Sequence, residues 1–202
     1  MSGTSCDGLD IAYVDFKRRD KIEFKLLCSE TITYSQEWKQ KLSNAFHSTE
    51  DELLKLDADY GAWLGNTVLN FVKEYQIIPD LIASHGHTIF HKPNEGYTFQ
   101  IGSGKIIKEL THIPVVNNFR IQDVALGGQG ATLVPIGDEL LYPEYDFCLN
   151  LGGFSNISWK ENGKRLACDI GVCNMLLNEI CKLIAIEYDS NGALAASGNT
   201  IP

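Results

Sequence analysis

The sequence predicts an α/β fold of two similar lobes, the second of them incomplete. Strand-like and helix-like segments alternate along the chain, which implies a sheet flanked by helices. An order of strand, glycine-containing turn, hairpin and helix occurs twice, once from the N-terminus and once from Phe147. The 202 residues, 44% hydrophobic and 21% charged, can fill a core and exceed one average domain of about 150 residues.

From Gly8 the apolar positions Leu9, Ile11 and Tyr13 alternate with Ala12, Val14 and Phe16, a half-buried strand that breaks at the charged turn Lys17 to Lys21. Residues 22–33 resume as its hairpin partner. Helical spacing follows over 34–46 (Trp38, Leu42, Ala45, Phe46) and 53–75 (Leu53, Leu56, Tyr60, Leu64, Val68, Phe71), with Glu50, Asp51 and Glu52 near the start of the second, where the helix dipole favours acids. Leu81 to Ala83 reads as a short buried parallel strand ending in the polar Ser84, His85 and Gly86. A strand over 98–101, a helix over 103–110 capped by Ser103, and a strand at Val115 and Val116 complete the first lobe.

After the glycine-rich stretch Leu126 to Gly130 the pattern restarts, with a lobe boundary expected near Pro135 to Pro143. Residues 147–151 form an apolar strand running into Gly152-Gly153. Segments 156–159 and 166–168 flank Asn162-Gly163, a strong short-hairpin signal, and 175–188 is helical. The expected division is a first lobe over 1–135 and the opening of a second over 136–202.

Charge narrows the function. Seventeen Lys+Arg against 26 Asp+Glu give a net charge of −9, with no basic footprint for nucleic acid or an anionic membrane. The run Lys17, Arg18, Arg19 suits a solvated hairpin tip. No stretch of 18 apolar residues and no leader pattern occurs, and the six cysteines contain no C-x-x-C pair, so the expectation is a cytoplasmic protein with reduced thiols.

Five segments carry candidate chemistry. Residues 3–8 (Gly3, Thr4, Ser5, Cys6, Asp7, Gly8) form a small-residue loop whose backbone N–H groups can approach phosphate oxygens, with Asp7 able to hold a divalent ion; a Ser/Gly-rich terminus without a ligand is the alternative. Asn150 to Asn156 (Asn-Leu-Gly-Gly-Phe-Ser-Asn) is its counterpart, or simply a tight turn. Asp169, ending the strand over 166–168, is placed as a general base at a strand's carboxyl end, and stands too far ahead of the next helix to cap it. In Ser84 to His91, His85 or His87 is expected to line a substrate crevice, and a zinc cluster of the three histidines is disfavoured because no further ligand lies at suitable spacing. Asn118 to Gly130 combines Arg120, Gln122, Asp123, Gly128 and Gln129, suited to the hydroxyl and carboxylate bonds of a sugar acid, unless Arg120 and Asp123 merely form a local i, i+3 pair.

Taken together, Met-Ser-Gly-Thr-Ser-Cys-Asp-Gly-Leu-Asp (1–10), Ser-His-Gly-His-Thr-Ile-Phe-His-Lys-Pro (84–93), the run from Asn118 to Pro135, and Asn-Leu-Gly-Gly-Phe-Ser-Asn-Ile-Ser (150–158) resemble the anhydro-N-acetylmuramic acid kinase family. The resemblance implies the actin, hexokinase and Hsp70-like ATPase architecture, in which two RNase H-like lobes clamp ATP. It implies ATP and Mg²⁺ as cofactors and an amino-sugar substrate from cell-wall turnover, whose 1,6-anhydro ring is opened and whose O6 is phosphorylated. Carried over by motif, Gly3, Thr4, Ser5, Cys6, Asp7, Gly8, Leu9 and Asp10 would contact ATP, Asp169 would activate water, and His85, Arg120, Asp123, Gly128, Gln129 and Asn174 would bind the sugar. A homodimer is compatible with it; a resident metal ligand set is not implied.

The chain keeps Asp169, Gly171 and Asn174 where the family commonly reads Asp-Thr-Gly-Pro-Gly-Asn, and has Ile170, Val172 and Cys173 at the other three positions. Neither the strand that precedes the first motif in family members nor the adenosine-binding part of the second lobe is present. The chain is therefore expected to be a fragment inactive on its own. Another sugar or hydroxy-acid kinase of this fold and a catalytically dead sugar-binding module are the alternatives.

Overall fold

The computed structural model describes residues 2–3, 8–131 and 133–199. Among them, contacts divide the chain into two units, 1–141 and 142–202. Mixed α/β composition is observed in both.

In the first unit, β1 (Gly8–Arg18) and β2 (Ile22–Thr33) pair antiparallel through the charged turn, with one irregularity between Tyr13 and Val14. Ser35 caps α1 (Gln36–Asn44) by accepting the Trp38 N–H, so the helix starts later than its apolar spacing suggested. The long helix α2 (Glu50–Glu74) opens with a full capping box. Thr49 Oγ1 accepts the Glu52 N–H, while the Glu52 carboxylate accepts the Thr49 N–H at 2.7 Å. Strand β3 (Ile82–Ala83) pairs parallel with β6 (Val115–Val116).

Between them lies an element the sequence concealed. Residues 87–92, read from the sequence only for their histidines, form β4 (His87–Lys92), which pairs antiparallel with β5 (Tyr97–Ile101) through a turn at Pro93–Glu95. Helix α3 (Gly104–Thr111) follows, but Ser103 makes no side-chain capping bond, contrary to expectation; its φ/ψ of −47°/109° is not a capping geometry. The segment 118–130, for which the sequence suggested no helix, holds α4 (Phe119–Ala125) before the glycine turn, and α5 (Leu133–Leu141) completes the unit.

The core of this unit gathers Leu9, Tyr34, Leu42, Tyr60, Leu64, Ile101 and Ile107, with Trp38 and Trp63 packed against them. Tyr60, Ile101 and Ile107 are fully enclosed. Each such side chain contributes about 1.5–3 kcal/mol by leaving water. Asp57, one turn before Gly61 on α2, accepts the Gly102 N–H at 2.7 Å and ties the end of β5 to the helix; burial pushes its carboxyl upward against that bond.

In the second unit, β7 (Phe147–Leu151), β8 (Phe154–Glu161) and β9 (Lys164–Val172) form an antiparallel meander. The expected Asn162-Gly163 turn joins the last two, both residues at positive φ, 50° and 74°. Helix α6 (Asn174–Lys182) is shorter than the expected 175–188 because the backbone turns left-handed at Ala185, φ 60°. A short helix α7 (Ala193–Ser197) ends the described chain.

Candidate functional site

The first unit brings three separated segments to one cluster. His85 follows β3, Arg120 lies in the first turn of α4, and Gly130 closes the turn after it. The Arg120 Nε donates to His85 Nε2 at 2.8 Å, and Nη1 donates to the Gly130 carbonyl at 2.8 Å. His85 therefore accepts at Nε2 and carries its proton on Nδ1, which faces the Gly86 carbonyl at 3.1 Å. Burial, with Arg120 adding to it, pushes the His85 imidazole below its usual range despite that carbonyl, and burial lowers Arg120 as well.

Asp123 does not pair with Arg120. Its Oδ2 accepts the Gly130 N–H at 2.6 Å and its main-chain carbonyl accepts the Gly128 N–H at 2.8 Å, so it organises the glycine turn instead. A Cβ on Gly128 would overlap the Asp123 carboxylate. Gln129 is exposed at the tip. Arg120 is thus a partly buried cation held by a neutral ring and a carbonyl, with no carboxylate in salt-bridge contact among the described residues.

Two further residues belong to this neighbourhood: His91, which the sequence suggested only as a disfavoured zinc ligand, and Gln100, which it did not single out. His91, on β4, shares a 3.2 Å hydrogen bond with Thr98 Oγ1 and approaches the main chain of Gln129; burial, then Arg120, lowers its pKa. Gln100 donates to Thr98 Oγ1 at 2.7 Å, yet its Oε1 is buried and has no hydrogen-bond partner among the described residues. The alternation Thr98, Gln100 on the inward face of β5 was the available signal. The His87 side chain lies in the core, 4% exposed. Among the described residues no group of three His, Cys, Asp or Glu side chains could hold a metal.

Of the N-terminal loop, Thr4, Ser5, Cys6 and Asp7 lie outside the described residues. Gly3 is exposed, Gly8 is buried, and Leu9 places its side chain in the core, which leaves only its main chain to face a ligand. Asp10 Oδ1 accepts the Thr31 hydroxyl at 2.7 Å.

A family model described as anhydro-N-acetylmuramic acid kinase matches residues 1–202. The chain belongs to that family. Among its relatives, the anhydro-N-acetylmuramic acid kinase of Pseudomonas syringae pv. syringae is 37% identical over 209 residues, covering 98% of this chain and 56% of the relative. Those of Caldanaerobacter subterraneus subsp. tengcongensis and Bacillus cereus (strain AH187) are 36% identical, covering 98% and 100% of this chain. The chain spans little more than half the length of these relatives, 56–58%.

The anhydro-N-acetylmuramic acid kinase motifs of the second unit take a different form from that expected. Strand β9 runs on to Val172, so Asp169 lies within the strand rather than at its end. It faces Asn156 in register, whereas Ser155 faces Gly171, which leaves Ile170 as the extra residue of a bulge. Alternation of apolar positions stops at that bulge, and this hid the remainder of the strand. Asp169 is exposed, and Cys173, not Asp169, stands at the start of α6. The Gly152-Gly153 turn is welded to that helix: its carbonyls accept the N–H groups of Cys173, Asn174 and Met175, and the Asn174 side chain donates to the Leu151 carbonyl at 3.2 Å. No helix among the described residues is long and apolar enough to cross a membrane.

Proposed function

We propose that this chain supplies the sugar-binding and phosphate-facing residues of an ATP-dependent kinase that hydrolytically opens 1,6-anhydro-N-acetylmuramic acid and phosphorylates O6. The observation that carries the reading is Arg120, a partly buried guanidinium with no carboxylate in salt-bridge contact among the described residues. Such a group favours an anion brought by the ligand, and the muramic lactyl ether supplies a carboxylate. His85, kept neutral, orients the guanidinium without competing for the anion. Asp123 and Gly128 hold the turn beside it, and Gln129 at its tip contributes a polar contact to the sugar.

The two units are read as RNase H-like lobes of the actin, hexokinase and Hsp70-like superfamily, the first over 1–135 and the opening of the second over 136–202. Gly3 to Asp10 would face the nucleotide phosphates through backbone N–H groups. The nucleotide's Mg²⁺ would neutralise phosphate charge, and the carboxylates Asp7 and Asp10 suit it or its waters.

Asp169 acts as the general base. It removes a proton from water as the oxygen bonds to C1, the C1–O6 bond breaks, and the released O6 attacks the γ-phosphorus. The bond from that phosphorus to the ADP oxygen breaks, giving N-acetylmuramic acid 6-phosphate and ADP. Exposure of Asp169 and the bulge beside it suit a side chain aimed out of its sheet.

Water is the discriminating reagent. In H₂¹⁸O, with the full-length enzyme and early quenching, the label is expected at C1 and not in the phosphate. Phosphorylation of non-anhydro N-acetylmuramic acid without label at C1 would overturn this reading in favour of an ordinary sugar kinase. Label in phosphate alone would mean ATP hydrolysis.

A further inference from the structure

Ser2 and Leu9 form an antiparallel β-bridge, a neck that ties Ser2 to the start of β1. On its inner side Ser2 is 4% exposed. Its Oγ lies 2.7 Å from His87 Nδ1 and accepts the Tyr34 hydroxyl at 2.7 Å, while Tyr34 and Tyr60 share a 2.6 Å hydrogen bond. Tyr34 comes from the link between β2 and α1, Tyr60 from α2, and His87 from the start of β4. Two distant segments thus meet at the Ser2 hydroxyl, and Tyr60 from a third backs Tyr34.

Ser2 Oγ accepts from Tyr34 and shares its other short hydrogen bond with His87 Nδ1, so these two side chains together fix the hydroxyl. Burial, reinforced by His85, holds His87 down to about 4, so it stays neutral at ordinary pH. Phenylalanine and an aliphatic residue would fill the same space; hydroxyls and an imidazole additionally dictate where Ser2 sits.

We propose that His87 is a positioning residue, which through the Ser2 hydroxyl fixes the Ser2–Leu9 neck and with it the main chain of Gly8, Leu9 and Asp10 toward the nucleotide. This rests on the phosphate-facing reading of Gly8 to Asp10 given above. The role is separate from that of His85: one ring orients Arg120, the other anchors the opposite end of the same strand-and-loop segment to the N-terminus.

The test compares Ser2→Ala, His87→Leu and His87→Asn, whose amide can replace Nδ1 as the hydroxyl's hydrogen-bond partner. Amide hydrogen exchange on the 202-residue chain, which needs no ligand, should show Gly8, Leu9 and Asp10 exchanging about tenfold faster in Ser2→Ala and His87→Leu. The amides of α2 should be unchanged, and His87→Asn should restore slow exchange. In the full-length enzyme the first two variants should raise KM for ATP about tenfold and leave KM for the anhydro-sugar within twofold. Unaltered exchange at the neck, or acceleration spread equally through α2, would overturn the positioning role. Faster exchange at the neck with unchanged KM for ATP would uphold the anchor and overturn instead the phosphate reading of Gly8 to Asp10.

Discussion

Gly130→Ala tests the construction of the Arg120 site. Gly130 has φ +65°, where an L residue costs about 1–2 kcal/mol. A Cβ there would also lie 2.8 Å from Val124 Cγ2 and 3.1 Å from His91 Cε1. His91 is exposed and can swing aside, but Val124 is buried and cannot, so overpacking adds about 1–3 kcal/mol. The total is about 2–5 kcal/mol. Gly127→Ala is the internal control, because Gly127 has φ +85° in the same turn and nothing within 4 Å of its Cβ, so it carries the backbone cost alone. Urea unfolding of both variants, read at constant m-value, should place Gly130→Ala about 1–3 kcal/mol below the control. In the full-length enzyme it should also raise KM for the anhydro-sugar, since Gly130 both accepts from Arg120 and donates to Asp123. Equal destabilisation of the two variants, within about 0.5 kcal/mol, would refute the claim that the turn is packed against α4 and β4.

Four further outcomes are expected. Arg120→Ala should raise KM for the anhydro-sugar about 10- to 100-fold with kcat little changed, from the loss of about 1.5–3 kcal/mol of charge-assisted bonding; a fall in kcat alone would contradict this. Asp169→Asn should lower kcat about 10²- to 10⁴-fold in the full-length enzyme without moving the unfolding midpoint, since the side chain is exposed; activity within a few fold of the parent would make Asp169 structural. The unfolded state protonates His87 near 6.5 while the folded state refuses the proton until about 4, so this contribution is complete above pH 6.5 and is lost as pH falls towards 4. Unfolding midpoints at pH 7.5 and 4.5 should therefore fall further in the parent than in His87→Leu, by up to about 3 kcal/mol, and equal losses would refute the assignment. The second unit exposes Leu149, Leu151, Ile170, Leu176, Leu177 and Ile180, so the 202-residue chain should self-associate at micromolar concentration in sedimentation velocity; a strictly monomeric chain would refute this.

What could be read from the sequence depended on how local its cause was. The Asn162-Gly163 hairpin and the acidic opening of α2 were legible because turn chemistry and the helix dipole act within a few residues. Strand β4 was not, since three histidines drew attention to ligation and obscured the inward and outward alternation of residues 87–92. Helix α4 was hidden by the glycines after it, although Phe119, Arg120 and Asp123 share a helical spacing. At the site, residue types were legible and pairing was not. The i, i+3 spacing of Arg120 and Asp123 suggested an ion pair, but each finds Gly130, ten and seven residues on, one by its carbonyl and the other by its N–H. Burial of Ser2 against His87 depends on contacts 85 residues apart, which no local rule anticipates.

The tyrosines that anchor Ser2 also belong to an aromatic cluster. Tyr60 stacks on Trp63 at 5.7 Å and 13°, Tyr34 lies 5.2 Å from Trp63, and Trp38 lies 5.7 Å from Trp63. The remaining tryptophan, Trp159, is on β8 in the second unit. Rings this close couple their electronic transitions and lend a folded chain a strong near-ultraviolet circular dichroism signal that depends on their mutual angles. A Trp159→Phe chain would therefore carry a built-in optical gauge: its indole bands would arise only from the cluster joined by hydrogen bonds to the N-terminal root, and their sign and intensity would follow the state of that root without any added label.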